Sequence, residues 1–233
     1  SIFAEVIYNT TSRGRTLRFL YDGDHDEFKE NLFALGNTPL PYYITREPEE
    51  EDVERYQCVF AKNEGAVVAP AAGLHFSREL LKRMEIKGVN SGFLTLHSGL
   101  GNFREIDVED LTKNKMESEQ IILPEQMVVA VNNAHEKMHR VCAVGTEVMR
   151  AMEHVAGTNG QLKAYDGWTN KFIYPPYRFT VANSFFVNLY MPQSSQLLMV
   201  AAFAGYEETM HAYEEAVKEG YRFGAYGDAM LIV

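Results

Sequence analysis

The second half of this chain is organised by a strict alternation. Short apolar runs, RVCAVG (140–145), FFVNLY (185–190) and DAMLIV (228–233), take turns with stretches of helical spacing. Those stretches are TEVMRAMEHVAG (146–157), SQLLMVAAFAG (195–205) and ETMHAYEEAVKEG (208–220). The pattern begins upstream. SRELLKRMEIKG (77–88) has serine to cap its start and glycine to end it, GFLTLH (92–97) reads as a strand, and PEQMVVAVNNAHEKM (124–138) carries proline in its first turn. Strands that alternate with helices predict an α/β fold with a largely parallel sheet.

The first forty residues read differently. FAEVIY (3–8) and RTLRFLY (15–21) are strand-like and joined by the turn-rich NTTSRG, which predicts a β-hairpin. DGDHDEFKENLFALG (22–36) offers an aspartate cap, apolar positions at Phe28, Leu32 and Leu35, and a terminal glycine, so a helix follows. The proline-punctuated TPLPYYI (38–44) is a natural hinge. The expected division is therefore 1–38 and 39–233. A two-stranded hairpin is not a stable sheet by itself, so this one is expected to be the end of a domain whose beginning is missing.

Composition narrows the function. Of 233 residues 46% are hydrophobic and 23% charged, as in a protein with a sizeable core. The longest apolar stretch, LLMVAAFA (197–204), is too short to cross a bilayer, and no secretory signal is visible, so the reading is cytoplasmic. Cys58 and Cys142 lie far apart without metal-ligand spacing and are read as buried structural thiols. The net charge of −10 argues against a generic nucleic-acid surface. However, EPEEEDVE (47–54) holds six acidic residues, and without them the balance is −10 + 6 = −4. A local basic groove is compatible with that balance.

TLHSGLGNF (95–103) ends a strand-like run at a histidine and turns through two glycines. It lacks the third glycine of a dinucleotide fingerprint, and IDVEDL after it is a poor helix start. Ligands in open α/β sheets sit at the carboxyl ends of strands, where His97 falls. A ligand loop and a plain structural turn both remain open on these residues alone. VVAPAAGLHF (67–76), with His75 opening a helix, repeats the arrangement, and YRFGAYGDAMLI (221–232) places Tyr226, Gly227 and Asp228 at the mouth of the last strand.

Taken in order, APAAGLHF, TLHSGLGNFR, NKMESEQ, AVGT…R..E, GWT…FIYPPY, N.YMP.S, AFAG and YRFGAYGDAMLI resemble the S-adenosylmethionine:tRNA ribosyltransferase-isomerase family of queuosine biosynthesis. The resemblance runs from about residue 39 to the C-terminus and more loosely through the hairpin. It implies a large α/β domain with a small Greek-key β-barrel, of which the hairpin would be the last strands, and a chain that is a fragment or trimmed form of a longer polypeptide. It implies S-adenosylmethionine as ribosyl donor, no metal, and action on tRNA with 7-aminomethyl-7-deazaguanine at the wobble position; a monomer is expected, although the sequence does not fix the oligomeric state. The aminomethyl group attacks the ribosyl C5′, adenine and methionine leave, and epoxyqueuosine is formed.

That chemistry needs a base, a holder for the sulfonium cation and a proton for departing adenine. By resemblance, His75, His97, Arg150 and Glu153 are the catalytic candidates. Gly73, Gly99, Gly101, Thr146, Asn188, Tyr226 and Asp228 are the substrate-binding ones. For Arg150 and Glu153 the plain alternative is a surface i,i+3 ion pair, and for Asp228 a turn or capping aspartate. A groove for RNA would draw on Arg104, Lys113, Lys115, Lys171 and Arg178.

The sequence also departs from the family pattern. HKMHSE is NKMESE here, with Asn114 and Glu117 for histidines; TNFHLP is VNLYMP, with Tyr190 for a histidine; TTSVR is TEVMR, with Glu147 and Val148 for hydroxyl residues. Asn183 and Pro176 replace an aspartate and a glycine. The departures imply a changed site in which the acidic gain at Glu117 and Glu147 serves to hold a different cation. They also give a second reading, a paralogue that binds a nucleoside or RNA without ribosyl transfer.

Overall fold

The computed structural model describes residues 2–9 and 15–233. The chain divides into two compact units, Ser1–Pro39 and Leu40–Val233. In the first, β1 (Ile2–Asn9) and β2 (Arg15–Tyr21) pair antiparallel, with Ile2 opposite Tyr21 and a bulge between Val6 and Tyr8. Most of the predicted NTTSRG turn lies outside the described residues. Helix α1 (His25–Leu35) starts where the Asp24 side chain accepts the Glu27 N–H at 2.9 Å. Its Phe28 is buried and stacks on Tyr21 with ring centroids 4.2 Å apart.

The second unit opens with a short helix, α2 (Asp52–Arg55), a 3-10 turn (Ala71–His75) and α3 (Arg78–Ile86). The Ser77 side chain caps α3 by accepting the Leu80 N–H at 3.0 Å. Two three-stranded sheets follow. One runs in the order β3 (Thr95–Leu96), β4 (Glu119–Leu123), β6 (Tyr165–Thr169), and the other β5 (Cys142–Val144), β7 (Ser184–Asn188), β8 (Ala229–Ile232). Helix α4 (Glu125–Glu136) links β4 to β5, α5 (Thr146–Val155) links β5 to β6, and α6 (Ser195–Ala204) and α7 (Tyr206–Lys218) together link β7 to β8.

The α/β class is as expected, but the largely parallel sheet is not found. Among the described strands of this unit only β5 and β7 pair parallel; β3–β4, β4–β6 and β7–β8 are antiparallel. A parallel sheet requires each helix to return the chain to the next position of one sheet. Here β4 and β6 belong to one sheet and the intervening β5 to another. Two helices stand between β7 and β8, so the chain re-enters from the opposite end.

Helix α5 packs against β3, β4 and β6 of one sheet and β5 of the other, and one buried core takes residues from α5 and both sheets. Met149, Ala151 and Met152 of α5, Ile121 and Leu123 of β4, and Phe185 and Val187 of β7 are all at most 2% exposed. Fully burying each large apolar side chain contributes about 1.5–3 kcal/mol. Cys58 is buried as expected, but Cys142 is exposed. It lies on β5, at the edge of its sheet, where Ala143 takes the inward position.

Candidate functional site

The site is organised by the first turns of α5. Gly145 precedes it with φ 92°, a conformation that favours glycine, and donates its N–H to Phe186 O at 2.9 Å. Thr146 is buried, and Glu147 and Arg150 follow one turn apart on the same face. Arg150 crosses to β4 and donates to the Glu119 carboxylate; both residues are 4% exposed. Glu119 in turn accepts the Gly99 N–H at 2.8 Å and the Ser98 hydroxyl at 3.5 Å. The histidine–glycine loop is thus held by a buried carboxylate whose charge Arg150 balances.

The rest of the loop is tied in the same way. Asn102 donates through Nδ2 to Ser98 Oγ, and Gln196 of α6 donates to the Asn102 carbonyl at 3.2 Å. Glu117 pairs with Arg104 at 2.9 Å and lies over Gly101, where an added Cβ would come within 3.1 Å of its Oε2. Glycine at 101 is therefore a close-approach residue.

Two clefts meet at α5. The smaller is lined by Asn102, Thr146, Glu147, Arg150, Lys171 and Gln196, among others. The larger has Tyr43, Tyr56, Tyr190, Asn102, Arg104, Glu147 and Gln196 in its wall. Glu147, Asn102 and Gln196 belong to both. Glu147 is half-buried, and desolvation pushes its carboxyl pKa up. Burial, and next the neighbouring Glu147, push the Tyr190 phenol well above its usual range. Tyr190 is a poor substitute for a histidine in proton transfer at neutral pH.

The remaining candidates fall elsewhere. His75 and His97 line neither of these two clefts. The His75 ring stands edge-on to Phe186 at 5.7 Å, and its Nε2 has no hydrogen-bond partner. His97 lies against Gly65, where an added Cβ would come within 2.8 Å of its Nδ1. Arg150 and Glu153 do not form a surface pair. Glu153 is buried and accepts from the Thr180 and Val181 N–H groups at 2.8 and 2.9 Å, and from the Tyr177 and Thr180 hydroxyls at 3.1 and 3.3 Å. It anchors residues 177–181.

Gly73 is a packing glycine, since an added Cβ would fall 2.6 Å from Cys58 Sγ. Asn188 is fully buried and donates to Gly224 O at 2.9 Å, with its Oδ1 unpaired. Asp228 takes the turn role, accepting Arg222 N–H at 2.7 Å. Tyr226 donates to Asp52 at 2.8 Å. Asp52, from the acidic run, is 1% exposed and also accepts from Arg46 at 2.6 and 2.8 Å and from the Glu49 N–H. Of the cationic groups expected to form an RNA groove, Arg104 and Lys171 line the clefts, and Lys113 lies 3.8 Å from Asp110.

Sequence reasoning missed Glu119, Tyr43 and Tyr56. For Glu119 a signal existed, because it is the last residue of NKMESE and matches the family pattern. Tyr43 and Tyr56 carry no local mark. No group of three or more potential ligand side chains that would hold a metal ion occurs among the described residues. No helix among them is long and apolar enough to cross a membrane.

The structure thus combines an α/β body, a glycine loop clamped by a buried ion pair and a tyrosine-lined cleft. The chain belongs to the queuosine biosynthesis protein family, whose description it matches over residues 2–232. It is 66% identical to S-adenosylmethionine:tRNA ribosyltransferase-isomerase of Bacteroides fragilis (strain ATCC 25285), covering 100% of this chain and 66% of the relative. Similarity to the proteins of the same name from Parabacteroides distasonis (66% identical, 100% and 67% covered) and Flavobacterium psychrophilum (54%, 100% and 67%) is comparable in extent. The structure superposes on crystalline S-adenosylmethionine tRNA ribosyltransferase from Thermotoga maritima with TM-score 0.58 and 28% identity, covering 100% of this chain and 62% of that one. The chain therefore spans about two thirds of the length of the relatives it matches.

Proposed function

We propose that this chain carries the catalytic body of an S-adenosylmethionine:tRNA ribosyltransferase-isomerase. It transfers and isomerises the ribosyl group of S-adenosylmethionine onto 7-aminomethyl-7-deazaguanine at the tRNA wobble position, giving epoxyqueuosine and releasing adenine and methionine. The observation that carries this reading is 66% identity, over the whole chain, to relatives of that name. The donor is a substrate, and no metal enters the scheme. The reaction suits a cytoplasmic protein, and the hairpin of the first unit fits the last strands of a small Greek-key barrel.

The residues divide the work as follows. Glu119 and Arg150 position the loop at Gly99 and Gly101, so that its backbone meets the donor nucleoside. Thr146 and Glu147 stand at the head of α5 beside the reacting ribose. His97, on the strand end before the loop, and His75, with an unpaired Nε2, are the proton-transfer candidates. Asn188, through its unpaired Oδ1, is the candidate for a further polar contact. Glu153, Tyr226, Asp228 and Gly73 act through the shape of the fold. Arg104 and Lys171 serve the tRNA phosphates.

The test is adenine release from S-adenosylmethionine, followed with an anticodon stem-loop that carries the 7-aminomethyl-7-deazaguanine base and with the unmodified stem-loop. Release that requires the modified base supports the reading. Binding of S-adenosylmethionine without release would replace it with the paralogue that kept the nucleoside pocket and lost the transfer.

A further inference from the structure

We propose that Glu147, with the ring wall of Tyr43, Tyr56 and Tyr190, forms a subsite for a cationic sulfur, the sulfonium centre of the donor. The inference rests on the donor reading above and deepens it at one residue that departs from the family pattern.

The charges around the clefts single out Glu147. Glu119 is paired with Arg150 and Glu117 with Arg104. Among the described residues Glu147 forms no ion pair; its carboxyl is met by its own backbone N–H and by the Thr146 hydroxyl at 3.3 Å, while Arg150, whose charge also favours the ionised form, is paired with Glu119. A half-buried carboxyl whose neighbouring cation is already engaged is costly to ionise, and a ligand that brings positive charge lowers that cost.

A second observation comes from the opposite wall. Tyr56 is 5% exposed, lines the larger cleft, and its hydroxyl has no hydrogen-bond partner. The Tyr43 hydroxyl is occupied by the Ala225 N–H at 2.9 Å. The cleft therefore offers one carboxyl that forms no ion pair, one phenol hydroxyl without a hydrogen-bond partner and three aromatic rings.

The chemistry of that lining selects among cations. A primary ammonium is strongly hydrated and carries three donors that each want an acceptor. One carboxylate does not supply them. A sulfonium donates no conventional hydrogen bond and carries its charge over polarisable, apolar substituents, so it is satisfied by one carboxylate and ring faces. The family pattern has threonine at position 147, which solvates a ligand without balancing its charge.

The experiment is calorimetric titration of the chain with S-adenosylmethionine and with S-adenosylhomocysteine, which keeps the α-amino group and adenosine but has a neutral thioether. The wild type is expected to prefer the sulfonium by about tenfold or more, equivalent to ~1.4 kcal/mol. Glu147→Gln and Glu147→Thr should bring that ratio close to one while changing thioether affinity about twofold or less. Glu147→Asp should restore part of the preference. Unfolding curves confirm that each variant folds, and Gln is nearly the same size as Glu. If both nucleosides bind and Glu147→Gln keeps the wild-type preference, the subsite is wrong while the donor reading stands. If the wild type binds neither nucleoside, the donor reading fails and the subsite falls with it.

Discussion

Arg150 reaches from the middle of α5 to donate to the Glu119 carboxylate on β4, 31 residues away in sequence and out of contact with water. This contact holds the helix, the strand and, through the Gly99 amide, the glycine loop in one arrangement. Removing one partner leaves the other charged and buried. Arg150→Met or Glu119→Gln should each cost about 3–5 kcal/mol, whereas the double variant should cost less than the sum of the two. Urea unfolding of the four proteins closes the cycle; strict additivity would show that the pair does not act as a unit.

Glu153 should behave as an anchor rather than a reactive group. Glu153→Ala strips the Thr180 and Val181 amides of their acceptor, for about 2–4 kcal/mol. Glu153→Gln keeps a carbonyl there and should cost about 1 kcal/mol or less. Amide exchange at Thr180 and Val181 should accelerate strongly in the alanine variant and little in the glutamine one. Equal acceleration in both would mean the negative charge, not the acceptor, holds residues 177–181.

The Asp52 carboxyl is held well below its usual range, first by Arg46 and then by the Glu49 amide, with Tyr226 adding a third hydrogen bond. A carboxyl depressed in the folded state stabilises the protein above its unfolded pKa, near ~3.9, and that stability is lost as pH falls below it. Asp52→Asn should therefore be less stable than wild type at pH 7, with the gap narrowing as pH is lowered through about 4 towards 2. Unfolding free energies measured across that range decide it; a constant gap would remove the charge from the explanation.

Glu147 predicts the opposite sign. Burial raises its pKa, and Thr146, Arg150, Glu119, Tyr190, Tyr56 and Cys58 are the groups that feel or modify its charge. The folded state then holds a proton that the unfolded state has released, so stability declines as pH rises from the unfolded pKa, near ~4.3, through the raised folded one. Glu147→Gln removes that decline. Its melting temperature should exceed that of wild type at pH 8 by about 2–4 °C, and the difference should shrink towards pH 4. A lower melting temperature for Glu147→Gln at pH 8 would contradict this.

Helices were the most legible part of the sequence because their signals are local. The Asp24, Ser77 and Ser194 caps each accept a backbone N–H three residues on, as their spacing implies. Strand partners were not legible in the same way. YDGWT in β6 reads as a turn, so the antiparallel β4–β6 pair escaped and the remaining strands looked like one parallel series. Part of the candidate site was legible: Thr146 and Arg150 were named from the motifs and line a cleft at the head of α5, and Glu147 was marked as a departure. What it does is set by partners far away in sequence. Tyr226 and Asp52 meet across 174 residues, and Tyr43 reaches Ala225 across 182. Counting charges does not separate the members of EPEEEDVE, although Asp52 within it is one of the most buried carboxylates described.

The most direct test of the account is the mass of the wobble nucleoside. The chain is incubated with S-adenosylmethionine and the 7-aminomethyl-7-deazaguanine stem-loop, beside the Bacteroides fragilis relative, and the RNA is digested and examined by mass spectrometry. The account predicts conversion of the modified base to the epoxycyclopentanediol nucleoside by both proteins, with stoichiometric adenine. An unchanged base with this chain, under conditions where the relative converts it, would contradict the account.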